Sequence, residues 1–198
     1  MSIKKICGGS IGTNSYVVDD LIFDYIPETL SYIKKNNIQP KALCITHVHF
    51  DHIEELREFL DIFPTVEVYA SSEAKKNINN VEYTLASTDF IDTQRITAVS
   101  DRTQLTLSDH KILAVKTPGH SADSMSWFVE DLHCIFCGDL VFYRSIGRTD
   151  FPGGDLSELI NSVEKLFNLA ENGDTILYPG HGASTTVDEE KQFNPYLR

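Results

Sequence analysis

The spacing of hydrophobic residues along the chain predicts strands interspersed with helices. Short apolar runs indicate strands at residues 3–7, 14–19, 21–24, 42–45, 66–70, 96–99, 112–115, 124–129, 132–137 and 175–178. Apolar positions at helical spacing predict helices at residues 53–60 and 156–170, and shorter helices are expected at residues 28–36 and 72–77. The order begins with hairpin-like strand pairs and then alternates strands with helices, so we expect two packed β-sheets with helices outside them.

A dense group of metal-type side chains follows the apolar run at 42–45. His47, His49, Asp51 and His52 lie within six positions. Side chains two apart in an extended chain point the same way, so His47 and His49 can converge while the next two turn into a helix. So many nitrogen and oxygen ligands in one place suggest two adjacent metal ions. The alternative is a set of buried polar residues with Asp51 as a helix N-cap, but three histidines would then each need a buried partner.

Three later strands each end in a glycine followed by another metal-type ligand. His120 follows Gly119, Asp139 follows Gly138, and His181 follows Gly180. A strand that ends in a glycine turn presents its next side chain at the edge of the sheet. We therefore expect these residues to be further ligands.

Length and charge narrow the classes of protein to consider. A chain of 198 residues fits one domain, which we expect to span residues 1–198. Its formal net charge of -12 argues against a nucleic-acid surface. No apolar run resembles a signal peptide or a membrane span, so we expect a cytoplasmic protein that binds neither nucleic acid nor membranes.

The four cysteines, Cys7, Cys44, Cys134 and Cys137, are expected to be reduced thiols buried in or near strands. Cys134 and Cys137 have the separation of a zinc or redox pair. Because they lie on a predicted strand, they would face opposite sides of the sheet. A metal shared between them is therefore not expected.

Taken together, these motifs and the Asn14-Ser15-Tyr16 segment resemble the metallo-β-lactamase fold superfamily. The resemblance spans almost the whole chain and depends on the order and spacing of all the motifs. It implies an α+β fold, the αββα sandwich, in which two β-sheets are flanked by helices. It also implies that metal ions bind at one open edge of that sandwich.

The resemblance also implies which residues hold the metals. The first ion would be held by His47, His49 and His120, the second by Asp51, His52 and His181, and Asp139 would bridge the two. Asp24 is expected to support the ligands from behind, although many members have Asp-Pro-Gly where this chain has Asp24-Tyr25-Ile26. His110 and His133 match no ligand position and are expected at the surface or in turns.

Two divalent metal ions would permit hydrolysis at neutral pH. We expect zinc, with iron or manganese as alternatives, because imidazole and carboxylate ligands accept all three. Such ions lower the pKa of bound water from 15.7 towards ~7 and polarise a carbonyl group. We expect a hydroxide held between the ions to attack the substrate, with Asp51 as the catalytic residue that orients it.

The substrate is suggested by the segment at residues 145–155. This segment is similar to one in short bacterial glyoxalase II-like proteins, the hydroxyacylglutathione hydrolases, which cleave the thioester of S-lactoylglutathione. The resemblance implies a small-molecule thioester substrate, and Arg148 is a candidate to bind its carboxylate. Alternatively, Arg148 pairs with Asp150 and Asp155 caps the next helix, which would give the segment a structural role.

The main competing function is that of an iron-dependent persulfide dioxygenase acting on glutathione persulfide. Such enzymes share the fold and a segment like residues 147–151, but use one iron at the positions of His47, His120 and Asp139. The residues around this segment fit the hydrolase pattern better. A non-catalytic module with this fold is disfavoured because every ligand position is filled. The sequence leaves the oligomeric state open.

Overall fold

The computed structural model describes residues 3–170 and 173–197. The chain divides after Val99 into two compact units, called here the N-terminal unit and the C-terminal unit. The expectation of a single domain over residues 1–198 stays a prediction.

The N-terminal unit contains a mixed six-stranded sheet in the order β1-β2-β3-β4-β5-β6. Its first three strands are antiparallel, and β3 to β6 pair in parallel. Strands β2, β3 and β4 are buried at every position, as expected for the centre of a sheet covered on both faces. The bounds of the strands are Ile3–Gly8, Thr13–Val18, Leu21–Phe23, Ala42–Cys44, Glu67–Ser71 and Ile96–Val99.

Helices of the N-terminal unit contribute Ile33, Phe59 and Ala74 to the core that covers this sheet. The helix predicted at residues 53–60 begins later than expected, because a 3-10 turn comes first and Glu55 has a left-handed backbone at φ 55°. The bounds are α1 Pro27–Asn36, α2 Leu56–Ile62, α3 Ser72–Asn77 and α4 Val81–Thr84, with 3-10 turns at Phe50–His52 and Thr93–Arg95.

The C-terminal unit contains a second six-stranded sheet in the order β14-β13-β10-β9-β8-β7. Strands β10 and β13 pair in parallel, and the other neighbours are antiparallel. A small hairpin of β11 and β12 follows β10. The bounds are β7 Thr103–Leu107, β8 His110–Lys116, β9 Met125–Val129, β10 Cys134–Gly138, β11 Val141–Phe142, β12 Ser145–Ile146, β13 Ile176–Pro179 and β14 Thr185–Thr186.

Two helices belong to the C-terminal unit, α5 at Leu156–Leu169 and α6 at Val187–Phe193. Helix α5 buries Leu159, Val163 and Leu166 against the sheet, the spacing that the sequence predicts. Its N-cap is Asp155, whose side chain accepts a hydrogen bond from the Glu158 N–H. The stop expected at Asn172-Gly173 falls partly outside the described residues, since these omit Asn172.

The expected α+β class, two β-sheets with flanking helices, is confirmed. None of the helices in residues 3–170 and 173–197 combines the length and hydrophobicity that crossing a membrane requires.

The four cysteines and the two histidines outside the predicted ligand set, His110 and His133, differ in burial. All four cysteines are free thiols, and Cys44, Cys134 and Cys137 are buried as expected. The expected burial of Cys7 was wrong, because this residue lies on β1, a strand with no fully buried position. Cys134 and Cys137 both lie on β10, as expected. His133 lies in an exposed turn. The expectation for His110 was wrong: this residue begins β8, is buried, and donates from Nδ1 to Asp131 at 2.8 Å.

Candidate metal centre

The histidine run of the N-terminal unit forms one buried cluster. His47, His49, Asp51 and His52 are each at most 4% exposed. The His47 ring lies 4.6 Å from the His49 ring and 4.0 Å from the His52 ring, measured between centroids. The end of β4 and the 3-10 turn therefore bring together all four ligands predicted in this stretch.

Asp24 organises this cluster from behind. Its Oδ1 accepts from the Thr46 N–H at 2.7 Å, and its Oδ2 accepts from the Thr46 hydroxyl at 2.7 Å. The same Oδ2 lies 2.7 Å from His52 Nδ1, and both side chains are buried. Since a carboxylate accepts hydrogen bonds, His52 carries its proton on Nδ1, and the Nε2 lone pair is left to act as a ligand.

His47 is held in the same tautomer through Thr46. The Thr46 hydroxyl donates its only hydrogen to Asp24, so it can only accept at its 3.1 Å contact with His47 Nδ1. The Nδ1 of His47 therefore carries the hydrogen, and Nε2 has the lone pair. This role of Thr46 was not predicted, although its position directly before His47 was a usable signal.

Asp51 is positioned by a different strand. The Thr13 hydroxyl on β2 donates to Asp51 Oδ2 at 2.5 Å, and the same oxygen lies 3.5 Å from His52 Nε2. Asp51 sits inside the 3-10 turn and does not cap a helix, because the N-cap of α2 is Glu55. The N-cap alternative for Asp51 is therefore wrong, and the contribution of Thr13 was not predicted.

A second cluster forms in the C-terminal unit around Asp139. The Oδ2 of Asp139 lies 3.6 Å from His120 Nε2 and 3.5 Å from His181 Nε2. His120 Nδ1 lies 2.7 Å from the carbonyl oxygen of Arg148. A carbonyl oxygen only accepts, so the Nδ1 of His120 carries the hydrogen and its Nε2 faces Asp139 with a lone pair.

Gly147 permits the close packing behind this second cluster. A Cβ placed there would lie 1.8 Å from the carbonyl oxygen of Asp139 and 3.3 Å from the Cβ of His120. Any larger residue would displace the backbone that carries Asp139. Gly147 is thus a supporting position that the motif contained but the sequence analysis did not single out.

The side chain of Arg148 is engaged locally. It donates to Asp150 through Nε and Nη2, each at 2.6 Å, and its guanidinium lies 3.9 Å from the centre of the Phe151 ring. The hydrogen bond from Arg148 lowers the pKa of Asp150 to about 2. The structure therefore contains the ion pair between Arg148 and Asp150 that the sequence offered as an alternative. A role of Arg148 in binding substrate stays a prediction.

Comparison with known proteins identifies the family. Residues 12–181 match the family model described as the Metallo-beta-lactamase superfamily. The chain belongs to the metallo-β-lactamase superfamily. Over its whole length this superfamily member is 33% identical to "Probable metallo-hydrolase YqgX" of Bacillus subtilis (strain 168), covering 98% of that protein.

Two other similarities bear on fold and activity. The chain is 32% identical to "Hydroxyacylglutathione hydrolase GloC" of Haemophilus influenzae, over 83% of this chain and 79% of that protein. It matches the solved structure titled "Crystal structure of BLEG-1 B3 metallo-beta-lactamase" with a TM-score of 0.84 and 30% identity, covering 99% of both chains. The superfamily expected from the sequence is confirmed.

The donor set fits the metal chemistry of the superfamily. Three of its imidazoles have their Nδ1–H bonded to protein oxygen, which is the usual arrangement around a metal-binding histidine. Together with the carboxylates, these histidines are capable of binding a pair of metal ions.

Proposed function

We propose that this superfamily member is a binuclear metallohydrolase that cleaves a small-molecule thioester such as S-lactoylglutathione. The observation that carries the proposal is the fixed tautomer of His47, His52 and His120. Buried His110 also has an oxygen partner at Nδ1, so what distinguishes the three cluster histidines is that their remaining ring nitrogens are grouped with other metal-type ligand atoms. The hydroxyacylglutathione hydrolase among the relatives supports the choice of a thioester.

The proposed ligand sets follow the pattern expected from the sequence. The first ion is assigned to His47, His49 and His120, the second to Asp51, His52 and His181, with Asp139 shared by both. When bound, two divalent ions would supply an activated water near neutral pH and polarise the substrate carbonyl. We favour zinc, with iron or manganese as alternatives.

The residues of the chain have separate tasks in this proposal. Asp24 and Thr46 keep His47 and His52 in the tautomer that leaves Nε2 available. Asp51, held by Thr13, orients the attacking water by accepting its hydrogen bond. No serine or cysteine nucleophile is required, so the cysteines have no part in the reaction.

Substrate recognition is assigned to the exposed loop that begins at Gly147. The Arg148 guanidinium is paired on one edge with Asp150 and stacks on the half-buried Phe151. An exposed arginine held in this way is pre-organised to bind a carboxylate of the substrate. We further propose that the protein acts in the cytoplasm on a small molecule, without nucleic-acid or membrane partners.

The test combines metal analysis with assays on one preparation. Two metal ions per chain with hydrolysis of S-lactoylglutathione would support the proposal. One iron per chain, together with consumption of dissolved oxygen when glutathione persulfide is added, would instead support the persulfide dioxygenase alternative. A β-lactam substrate is a third assay, because the similar BLEG-1 structure is that of a B3 metallo-β-lactamase. Absence of thioester hydrolysis in the fully metallated protein would overturn the proposal.

Variants make the same test specific to the site. His47→Ala should lose both metal and hydrolysis, because His47 is buried in the cluster. His133→Ala is the matched control, since His133 lies in an exposed turn. If both variants kept the metal content and rate of the unaltered protein, the ligand assignment would be wrong.

A further inference from the structure

The segments of the C-terminal unit that surround His181 are connected by hydrogen bonds to one buried carboxylate, Glu190 of α6. His181 lies between β13 and β14, and the β11–β12 hairpin places the Phe142 ring against its imidazole. The two ring centroids are 6.1 Å apart, at an interplanar angle of 73°. His181 therefore depends for its position on β14 and on this hairpin, and both are held by Glu190 of α6.

Glu190 is a fully buried carboxylate with a complete set of donors. Its Oε1 accepts from the Thr185 hydroxyl at 2.6 Å. Its Oε2 accepts from the Arg144 N–H at 3.0 Å and from the Asn194 amide at 2.8 Å. Glu190 is 0% exposed, and burying a carboxylate is costly unless it is hydrogen-bonded. The contacts of Glu190 thus fix the geometry of three segments at once.

Each donor lies on a segment that is relevant to His181. Thr185 begins β14, directly after the turn that carries His181. Arg144 occupies the turn of the β11–β12 hairpin with a left-handed backbone at φ 59°. Asn194 also donates to the carbonyl oxygen of Ser145 at 2.9 Å, which fastens the second strand of the hairpin. One carboxylate therefore links the chain that follows His181 to the hairpin that packs against its ring.

We infer that Glu190 is a positioning residue for His181 and sets the affinity for the second metal ion. The inference rests on the proposed two-metal site. Glu190 does not touch the imidazole in this account; it acts through Thr185 on one side and through the hairpin and Phe142 on the other. Loosening either connection gives His181 more orientations and lowers the fraction of chains ready to bind metal.

The variant Glu190→Gln tests this at nearly constant volume. In one orientation, the NH₂ group of the new glutamine would face two donors, the Arg144 N–H and the Asn194 amide. In the other orientation it would face the Thr185 hydroxyl, which now donates to Oε1. We expect the second metal ion to bind about tenfold more weakly, the lower end of the range for residues that support ligands indirectly. The affinity for the first ion should change little.

The readout is titration of metal-free protein with zinc by calorimetry, which resolves two binding steps, alongside thermal unfolding of the metal-free protein. Glu164→Gln, an exposed position on α5 with the same charge change, is the control. A merely structural role would lower the unfolding temperature and leave both binding steps alone. If folded Glu190→Gln bound both ions as the unaltered chain does, the inference would be overturned.

A milder variant keeps the test decisive if Glu190→Gln does not fold. Thr185→Val preserves shape and removes only the donor to Oε1. It should weaken the second binding step selectively, and an unchanged second step would overturn the inference. The unaltered chain is the reference that separates the two proposals: if it binds a single ion, the two-metal function itself fails. If it binds two and the variants match it, only the role of Glu190 fails.

Discussion

Replacing Asp24 with asparagine should weaken metal binding without altering the shape of the site. Asp24 accepts three hydrogen bonds, each at 2.7 Å, from the N–H and hydroxyl of Thr46 and from His52 Nδ1. Asparagine keeps one oxygen, which can still accept from the Thr46 N–H. Its amide nitrogen, however, would point a hydrogen at the hydrogen on His52 Nδ1.

The size of the effect follows from which contacts can be replaced. The Thr46 hydroxyl can rotate and accept from the new amide, although it then no longer donates to residue 24 and holds the His47 tautomer less firmly. The contact with His52 has no such replacement. A hydrogen bond to a charged group contributes about 1.5–3 kcal/mol. His52 could avoid the clash by moving its proton to Nε2, but this would remove the lone pair that binds metal. At 1.4 kcal/mol per tenfold, we expect roughly 10–150-fold weaker binding at the ion held by His52.

Zinc titration of metal-free Asp24→Asn, with urea unfolding of the same sample, separates affinity from stability. Asp61→Asn on the exposed surface of α2 is the matched control, because its side chain is 71% exposed. The control should match the unaltered chain in both measurements. Two zinc ions bound to Asp24→Asn with unchanged affinity would refute the tautomer argument.

Three other perturbations test different parts of the molecule. Removing metal with a chelator should lower the thermal unfolding midpoint and readdition should restore it, because an ion at 100 times its Kd stabilises by about 2.7 kcal/mol per site; an unchanged midpoint would contradict bound metal. Gly147→Ala should destabilise by about 1–3 kcal/mol through overpacking against the backbone of Asp139, as measured by urea unfolding; a free energy of unfolding equal to that of the unaltered chain would contradict this close packing. Burial raises the pKa of the Cys134 thiol to about 12, so a thiol reagent at pH 8 should label exposed Cys7 and spare Cys134. Rapid labelling of Cys134 in the folded chain would contradict the burial of this thiol. Because its folded-state pKa exceeds the unfolded value of about 8.5, the free energy of unfolding that the thiol contributes is complete below about pH 8.5 and is lost as the pH rises towards 12.

Strands and ligand residues were predictable wherever the local pattern of hydrophobic residues matched their burial in the folded chain. The buried run at 42–45 predicted β4, and the glycine turns placed His120, Asp139 and His181 at strand ends. Helix α5 was predictable because its apolar face is continuous and faces the sheet. These elements carry enough hydrophobic signal within a few residues to be recognised alone.

Other elements depend on partners that are distant in sequence. Helix α6 was not predicted, because its stretch is mainly charged and its buried carboxylate, Glu190, is stabilised by donors from other segments. The burial of His110 likewise depends on Asp131, which lies 21 positions away. Hydrogen bonds on Asp131 from His110 and the Lys111 N–H outweigh its own burial and lower its pKa. No local pattern reports pairings of this kind.

The contact between His120 and residue 148 runs through the main chain. Because a backbone carbonyl orients the imidazole, residue 148 can change its side chain without loosening its hold on the histidine. Under the proposed function, the loop that begins at Gly147 could therefore change its exposed side chains without moving His120. Related proteins could then differ in substrate through substitutions in this loop and keep the same metal ligands.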